Sequence, residues 1–465
     1  MKRVLRSGLL ALAIAGLALG QDGGEADYAP EAMGARFGER LQPALEEALS
    51  YRFEAPVRFE RVTREGMSEV LAKENMMLLA EIEGGWRGEE LERECEKLGQ
   101  QLGAMVMAKL DFRSGSLHVV PENFTLIAGL EDAWQGVGSQ RFLDLILVHE
   151  AVHAFQQRTV DFEAYFSGCT SVGQLKGRMS VVEGHAQFIT RKVAKALGLE
   201  DMFALFLSVS TDVPESIKDP MQRAQLEAVM QNIAFPYTEG EAFFTALVEA
   251  LGYEAALERA FGEPPTTLRQ VSHPDEFLEP VAEAIDVEAL AQRVAKELLS
   301  DAFGTQVMPL PETALATSFG LAGEKGQASV ERVRSAQVIV ATSRTVAGAQ
   351  VLIALLELDA PEAGADVLEV ERVVSEKKDE QLQQNPGIEL KAVSYAEAPL
   401  EGRAGFYVRK DLAARGTEVT AELAVVQVGS VVLEVTRVGL PGGQAATVEL
   451  AQRVCELIEG KPQDE

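Results

Sequence analysis

The chain has 465 residues, with 43 Lys and Arg against 72 Asp and Glu, a formal net charge of −29 and 47% hydrophobic residues. That length accommodates two or three domains with an ample core. So acidic a surface repels nucleic acid and anionic lipid, which excludes both as main partners.

The first predicted element is a leader. Lys2, Arg3 and Arg6 precede an apolar run from Gly8 to Gly20, and Ala18 and Gly20 supply the small residues of a cleavage site before Gln21. Residues 1–20 therefore read as a signal peptide that sends the chain to the periplasm or the exterior. Its removal takes away three positive charges and no negative ones, moving the net charge from −29 to −32. The apolar run is short for a membrane span of roughly 20 residues, and no later segment reads as one. No stable membrane insertion is expected after cleavage.

From Gln21 to Pro30 the chain is Gly- and acid-rich and reads as a flexible start. Residues 31–110 are mostly helical in pattern, interrupted by a strand at Val57–Val62. A short strand follows at Ser116–Val120. Helical apolar spacing returns from Gln140 to Gln157, again from about Leu175 to Leu197, and in further segments up to about Leu299. Residues 305–335, mixed in Pro, Gly, Ser and Ala, read as a connector. Beyond them come alternating runs at Val338–Thr342, Val351–Leu358, Glu389–Ser394, Gly405–Arg409, Val419–Val428 and Val431–Val438, with helical patterns at about 361–383 and 444–459. The fold class is α+β: a mainly helical domain over 21–304, then a smaller α+β domain over 336–465 with an antiparallel sheet and helices on one face. Gly439-Leu440-Pro441-Gly442-Gly443 lacks the Lys-Ser/Thr ending of a phosphate loop and reads as a turn.

The chemistry concentrates in Leu147-Val148-His149-Glu150-Ala151-Val152-His153. On a helix, positions i and i+4 share a face, so both imidazoles can reach one ion. Glu150 is rotated by about 100° from His149, where it can touch a metal-bound water without ligating. This is the HExxH arrangement of zinc hydrolases. A catalytic zinc site needs a third protein ligand. Glu183, in Val181-Val182-Glu183-Gly184-His185-Ala186, follows His153 with enough chain for a returning helix. Gly184 would let those two helices approach closely. His185, two positions on, suits packing or hydrogen bonding. His118 suits a structural place in its strand. Cys95, Cys169 and Cys455 are too few for a disulfide framework, although one bridge is open to them; structural roles are expected for all three.

The motif continues as Ala154-Phe155-Gln156-Gln157 with Asp161-Phe162 soon after, then Val-Glu-Gly-x-Ala, then Phe235-Pro236-Tyr237-x-Glu-Gly, and finally Pro264-Pro265-Thr266-Thr267-Leu268-Arg269-Gln270-Val271-Ser272-His273-Pro274. Over residues 140–280 this resembles an exported family of gluzincin-type metallopeptidases, patterned roughly HExxHALQDQxFDL, VEGDA, FxYxxG and PPxSTEQxLHP. The resemblance implies one Zn2+, with His149, His153 and Glu183 as ligands and Glu150 as general base. The chain departs from the pattern where His185 stands for Asp and where Thr-Leu-Arg-Gln-Val replaces the STEQ core. These departures leave ligands and base intact and bear on substrate preference.

Such a site hydrolyses a peptide or protein substrate by acidifying a zinc-bound water, with Glu150 moving its proton to the leaving amine. Tyr237 and His273 are candidate donors to the oxyanion. Asp161 is a candidate acceptor for a ligand imidazole N–H. Leu117–Val120 is a candidate edge for an extended peptide. Two alternatives stay open: a non-catalytic envelope protein with a structural zinc, and a hydrolase of non-peptide amides or esters. Oligomeric state is not legible.

Overall fold

The computed structural model describes residues 26–82, 87–213, 217, 220–279, 285–310, 312–384, 387–397, 399–414 and 417–460. The expected leader over 1–20 lies outside these residues. The chain divides into two compact units: residues up to Thr170 with Gln174–Glu279, and Ser171–Gly173 with Pro280 onward.

The first unit opens with α1 (Pro30–Arg36), a π turn at Phe37–Leu41 and α2 (Gln42–Leu49). Met33, Phe37, Leu41, Leu45 and Leu49 are buried at a constant spacing of four. On a regular helix that spacing drifts by about 40° per step; the wider π turn takes up the drift and keeps one face on the core. Next come β1 (Arg58–Arg61), α3 (Arg64–Leu79), α4 (Gly88–Gly103), β2 (Ala108–Asp111) and β3 (Ser116–Val119). The hydroxyl of Thr63 starts α3 by accepting from Gly66 N.

The three strands lie in the order β1–β3–β2, with β1 parallel and β2 antiparallel to β3. β3 is thus the centre strand, which corrects the expectation that Leu117–Val120 offers a free edge. The edge toward the rest of the site is β2, hidden in the sequence because its four residues end a helical stretch.

After α5 (Pro121–Ala128) the chain reaches α6 (Gln140–Thr159), started by Ser139, whose side chain accepts from Phe142 N at 3.2 Å. Every residue from Phe142 to Gln156 is buried. The helix is enclosed on all sides, so each of its polar groups needs a partner. Asp144 has one in Arg36, at 2.5 and 2.6 Å, and another in Arg40 at 3.0 Å. The unit continues with α7 (Phe162–Phe166), α8 (Val172–Leu197), α9 (Glu200–Thr211), α10 (Pro220–Leu251), α11 (Tyr253–Gly262), α12 (Leu268–Ser272) and α13 (Pro274–Leu278).

Where α8 crosses α10, Gly184 faces Gly240. A Cβ on Gly184 would stand 2.0 Å from Gly240 O, and one on Gly240 would stand 2.3 Å from Ser180 O. Gly184 therefore serves a close crossing, as expected, but with α10 rather than with α6.

The second unit holds α14 (Val287–Val294), β4 (Phe303–Pro309), α15 (Glu312–Phe319), α16 (Glu324–Glu331), β5 (Val333–Ser343), β6 (Gln350–Leu358), α17 (Gly364–Gln384), β7 (Ile388–Glu397), β8 (Gly405–Ala414), β9 (Thr417–Val428), β10 (Val431–Val438) and α18 (Gly443–Ile458). Its sheet is antiparallel throughout, in the order β4–β5–β6–β10–β9–β8–β7. Residues 305–335 are therefore no connector: β4 pairs with β5 along its length, and the unit begins before the expected boundary at 304.

Strand alternation sends Ile353, Leu355, Val426 and Leu433 into one core with α14 and α18. The opposite face sends Leu356, Val425, Val432 and Val408 into a second core with α15, α16 and α17. Helices cover both faces, where one was expected. The Gly439–Gly443 segment is a turn, as expected, held by Arg437, whose guanidinium donates to Pro441 O at 2.6 Å and Gly443 O at 3.2 Å. All three cysteines are buried and unbridged. Among the described residues no helix is long and apolar enough to cross a membrane.

Candidate metal centre

On α6, the four-residue spacing brings the rings of His149 and His153 to 4.9 Å between centroids, nearly perpendicular at 87°. From α8, Glu183 points its carboxylate between them. One oxygen, Oε2, lies 3.3 Å from His149 Nε2 and 3.4 Å from His153 Nε2. Ligand atoms of all three residues fall within 4.8 Å of one another, and among the described residues this is the group of His, Cys, Asp and Glu side chains that could hold a metal ion.

The electrostatics follow from enclosure. Burial disfavours charge on Glu183, but His153, and hydrogen bonds from both rings, hold its carboxyl well below the usual range. Burial opposes protonation of His153; the Glu183 charge outweighs it and lifts the ring to about 9.

Glu150 faces the sheet. Its Oε2 accepts from Leu110 N at 2.8 Å, a backbone donor on the outward side of β2. The adjacent Lys109 forms an ion pair with Glu74 of α3 at 3.0 Å, both side chains about four-fifths buried, and its ammonium lies 5.0 Å from the Phe112 ring centre. Burial works against the Lys109 charge, and Glu74, Glu150 and Glu183 together raise its pKa. Neither Lys109 nor Glu74 was singled out by the sequence; only the apolar–polar alternation of Ala108-Lys109-Leu110-Asp111 hints that Lys109 turns away from the core.

Behind the histidines lies a hydrogen-bonded row. His153 Nδ1 is 2.8 Å from Gln156 Oε1. Gln156 Nε2 donates to Val182 O at 2.8 Å and lies 2.9 Å from His185 Nδ1. His185 Nε2 meets Tyr253 Oη at 3.0 Å. Burial, with the nearby His153 and Lys192 charges, lowers the His185 pKa to about 3, so the ring is neutral. His185 thus takes the expected hydrogen-bonding place. Gln156 went unnoticed, although its position three residues past His153 put it on the same helix face.

Tyr237 comes to the centre. Its ring lies 6.0 Å from that of His149; burial and the Glu183, Glu150 and Glu74 charges raise its pKa well above the ordinary value. Pro236, inside α10, removes a helical N–H one residue earlier.

Asp161 does not come. Its side chain caps α7 by accepting from Ala164 N at 3.1 Å, and Gln156 takes the place expected of it. His273 sits at the join of α12 and α13, its N–H bonded to Arg269 O at 2.7 Å. His118 is buried in β3, 3.5 Å from Glu60.

Compared with models of known protein families, with curated proteins and with solved structures, the chain gives no match.

Proposed function

We propose that the first unit is a zinc-dependent metallohydrolase of gluzincin type, exported by its leader and acting on peptide bonds. The observation that carries this reading is the spacing of the three donors. Zinc–ligand bonds of about 2.0–2.1 Å in a tetrahedron place ligand atoms about 3.3–3.4 Å apart. Glu183 Oε2 stands 3.3 and 3.4 Å from the two Nε2 atoms. Charge supports it too: Glu74, Glu150 and Glu183 all act on Lys109, an acidic surrounding that suits a divalent cation.

Zinc there would supply Lewis acidity toward water and a scissile carbonyl. The chain supplies the rest. Leu110 N fixes one oxygen of Glu150, so the carboxylate is oriented to receive a proton from water and return it to the leaving amine. Tyr237, whose ring lies 6.0 Å from that of His149, would turn its hydroxyl to the developing oxyanion as a donor. β2, as edge strand, gives an extended peptide a backbone to lie along.

The test is a comparison of zinc-loaded wild type with Glu150→Gln on a denatured protein substrate. The variant is expected to keep one zinc while cleavage falls by about 10²–10⁴. Undiminished proteolysis by the variant removes the mechanism.

A further inference from the structure

The two ring ligands are supported unequally. His149 Nδ1 is buried without a hydrogen-bond partner, whereas His153 Nδ1 meets an amide that is itself fully engaged. Gln156 and His185 are both 0% exposed, so no water competes for these bonds.

The direction of the row is set at Val182. A backbone carbonyl can only accept, so the Gln156 atom 2.8 Å from it must be the NH2 group. The amide oxygen then faces His153 Nδ1, which must carry a proton. The second amide hydrogen faces His185 Nδ1, which must be bare. His185 therefore keeps its proton on Nε2 and donates to Tyr253 Oη. Turning the Gln156 amide over would set two oxygens 2.8 Å apart at Val182 and leave that buried carbonyl without a donor, at about 1–3 kcal/mol.

We propose that Val182 O, Gln156, His185 and Tyr253 form a positioning relay that holds a proton on His153 Nδ1, so that Nε2 is the nitrogen presented to Glu183 and, once its own proton is displaced, to the metal. This rests on the metal-binding reading of the site, and adds to it four groups whose task is to orient one ligand. His149 has no such relay, so the two rings should differ in how firmly they are preset.

The test has two arms. Long-range proton–nitrogen NMR of histidine-labelled protein reads the tautomers without any variant. In the metal-free chain His153 is expected to carry a proton on Nδ1, with or without a second on Nε2, and His185 is expected as the Nε2–H form. The second arm titrates Zn2+ against a chromophoric chelator. Gln156→Leu and His185→Leu are expected to weaken zinc binding about 10–100-fold. His185→Asn, whose side-chain oxygen can accept the same amide hydrogen, is expected to recover most of it, and Asp161→Ala to change nothing. A His153 whose Nδ1 carries no proton overturns the relay, and so does wild-type zinc affinity in a folded Gln156→Leu chain. Should wild type bind no zinc at all, the metal reading fails while the spectrum still decides the relay.

Discussion

At the scale of single residues, the centre is a set of charges that make sense only together. Glu74 and Lys109 are each about four-fifths buried and meet at 3.0 Å. Burial lifts the Glu74 carboxyl, and Lys109 opposes that lift. Removing one partner leaves the other charge buried and uncompensated, which costs about 3–5 kcal/mol for a fully enclosed pair. Lys109→Met is therefore expected to lower unfolding free energy by about 2–4 kcal/mol. Adding Glu74→Gln should restore much of the loss. Denaturant melts of the two single variants and the double variant check this; additive losses would show that the pair is not coupled. Asp161 teaches a different lesson. It lies eight residues past His153, about 12 Å along a helix axis, and α6 ends at Thr159. Nearness in sequence suggested a partner for the imidazole, but the helix carries Asp161 past the site, where it starts α7.

At the scale of elements, two helices hold the site and a third sets their spacing. α6 brings both rings and Glu150, α8 brings Glu183, and α10 brings the Tyr237 ring beside His149. α8 meets α10 backbone to backbone at Gly184 and Gly240. Gly184→Ala would press a methyl group into the Gly240 carbonyl, with no flexible side chain to give way. It is expected to cost about 1–3 kcal/mol and to reduce zinc affinity by drawing Glu183 from the rings. Thermal melts with zinc titration check both, and an unperturbed variant would mean that the crossing can widen freely. The HExxH helix was legible because i,i+4 geometry is local. Glu183 followed from chain length and helix return. Lys109 and Glu74 were not legible, since a four-residue strand and a separate helix share no periodic pattern that could announce their meeting.

At the scale of the whole molecule, the chain is two units, each with its own core. In the second, alternation along Val419–Val428 and Val431–Val438 announced the strands. β4 was missed because Phe303–Pro309 is mostly half-buried and lacks a clear two-residue period. Helices on both faces were missed because β9 and β10 carry apolar residues on each side, a pattern of doubly covered strands. On α17, burial and the neighbouring Glu434 push Glu371 up to about 8 against an ordinary 4.5, with Lys378 opposing. A raised carboxyl holds its proton in the folded state after the unfolded chain has released it. Its stabilisation is full below about pH 4.5 and is lost as pH rises toward 8, at about 1.4 kcal/mol per pH unit. Glu371→Gln is expected to flatten that decline in pH-dependent denaturant melts, and an unchanged slope would remove Glu371 as its source. The central claim, one ion held by two imidazoles and a carboxylate, is tested most directly by X-ray absorption at the zinc edge on the stoichiometrically loaded chain. The account expects nitrogen and oxygen neighbours alone at about 2.0–2.1 Å, with the outer-sphere signature of two imidazole rings. Sulfur at about 2.3 Å, a single ring, or no tightly bound zinc would contradict it.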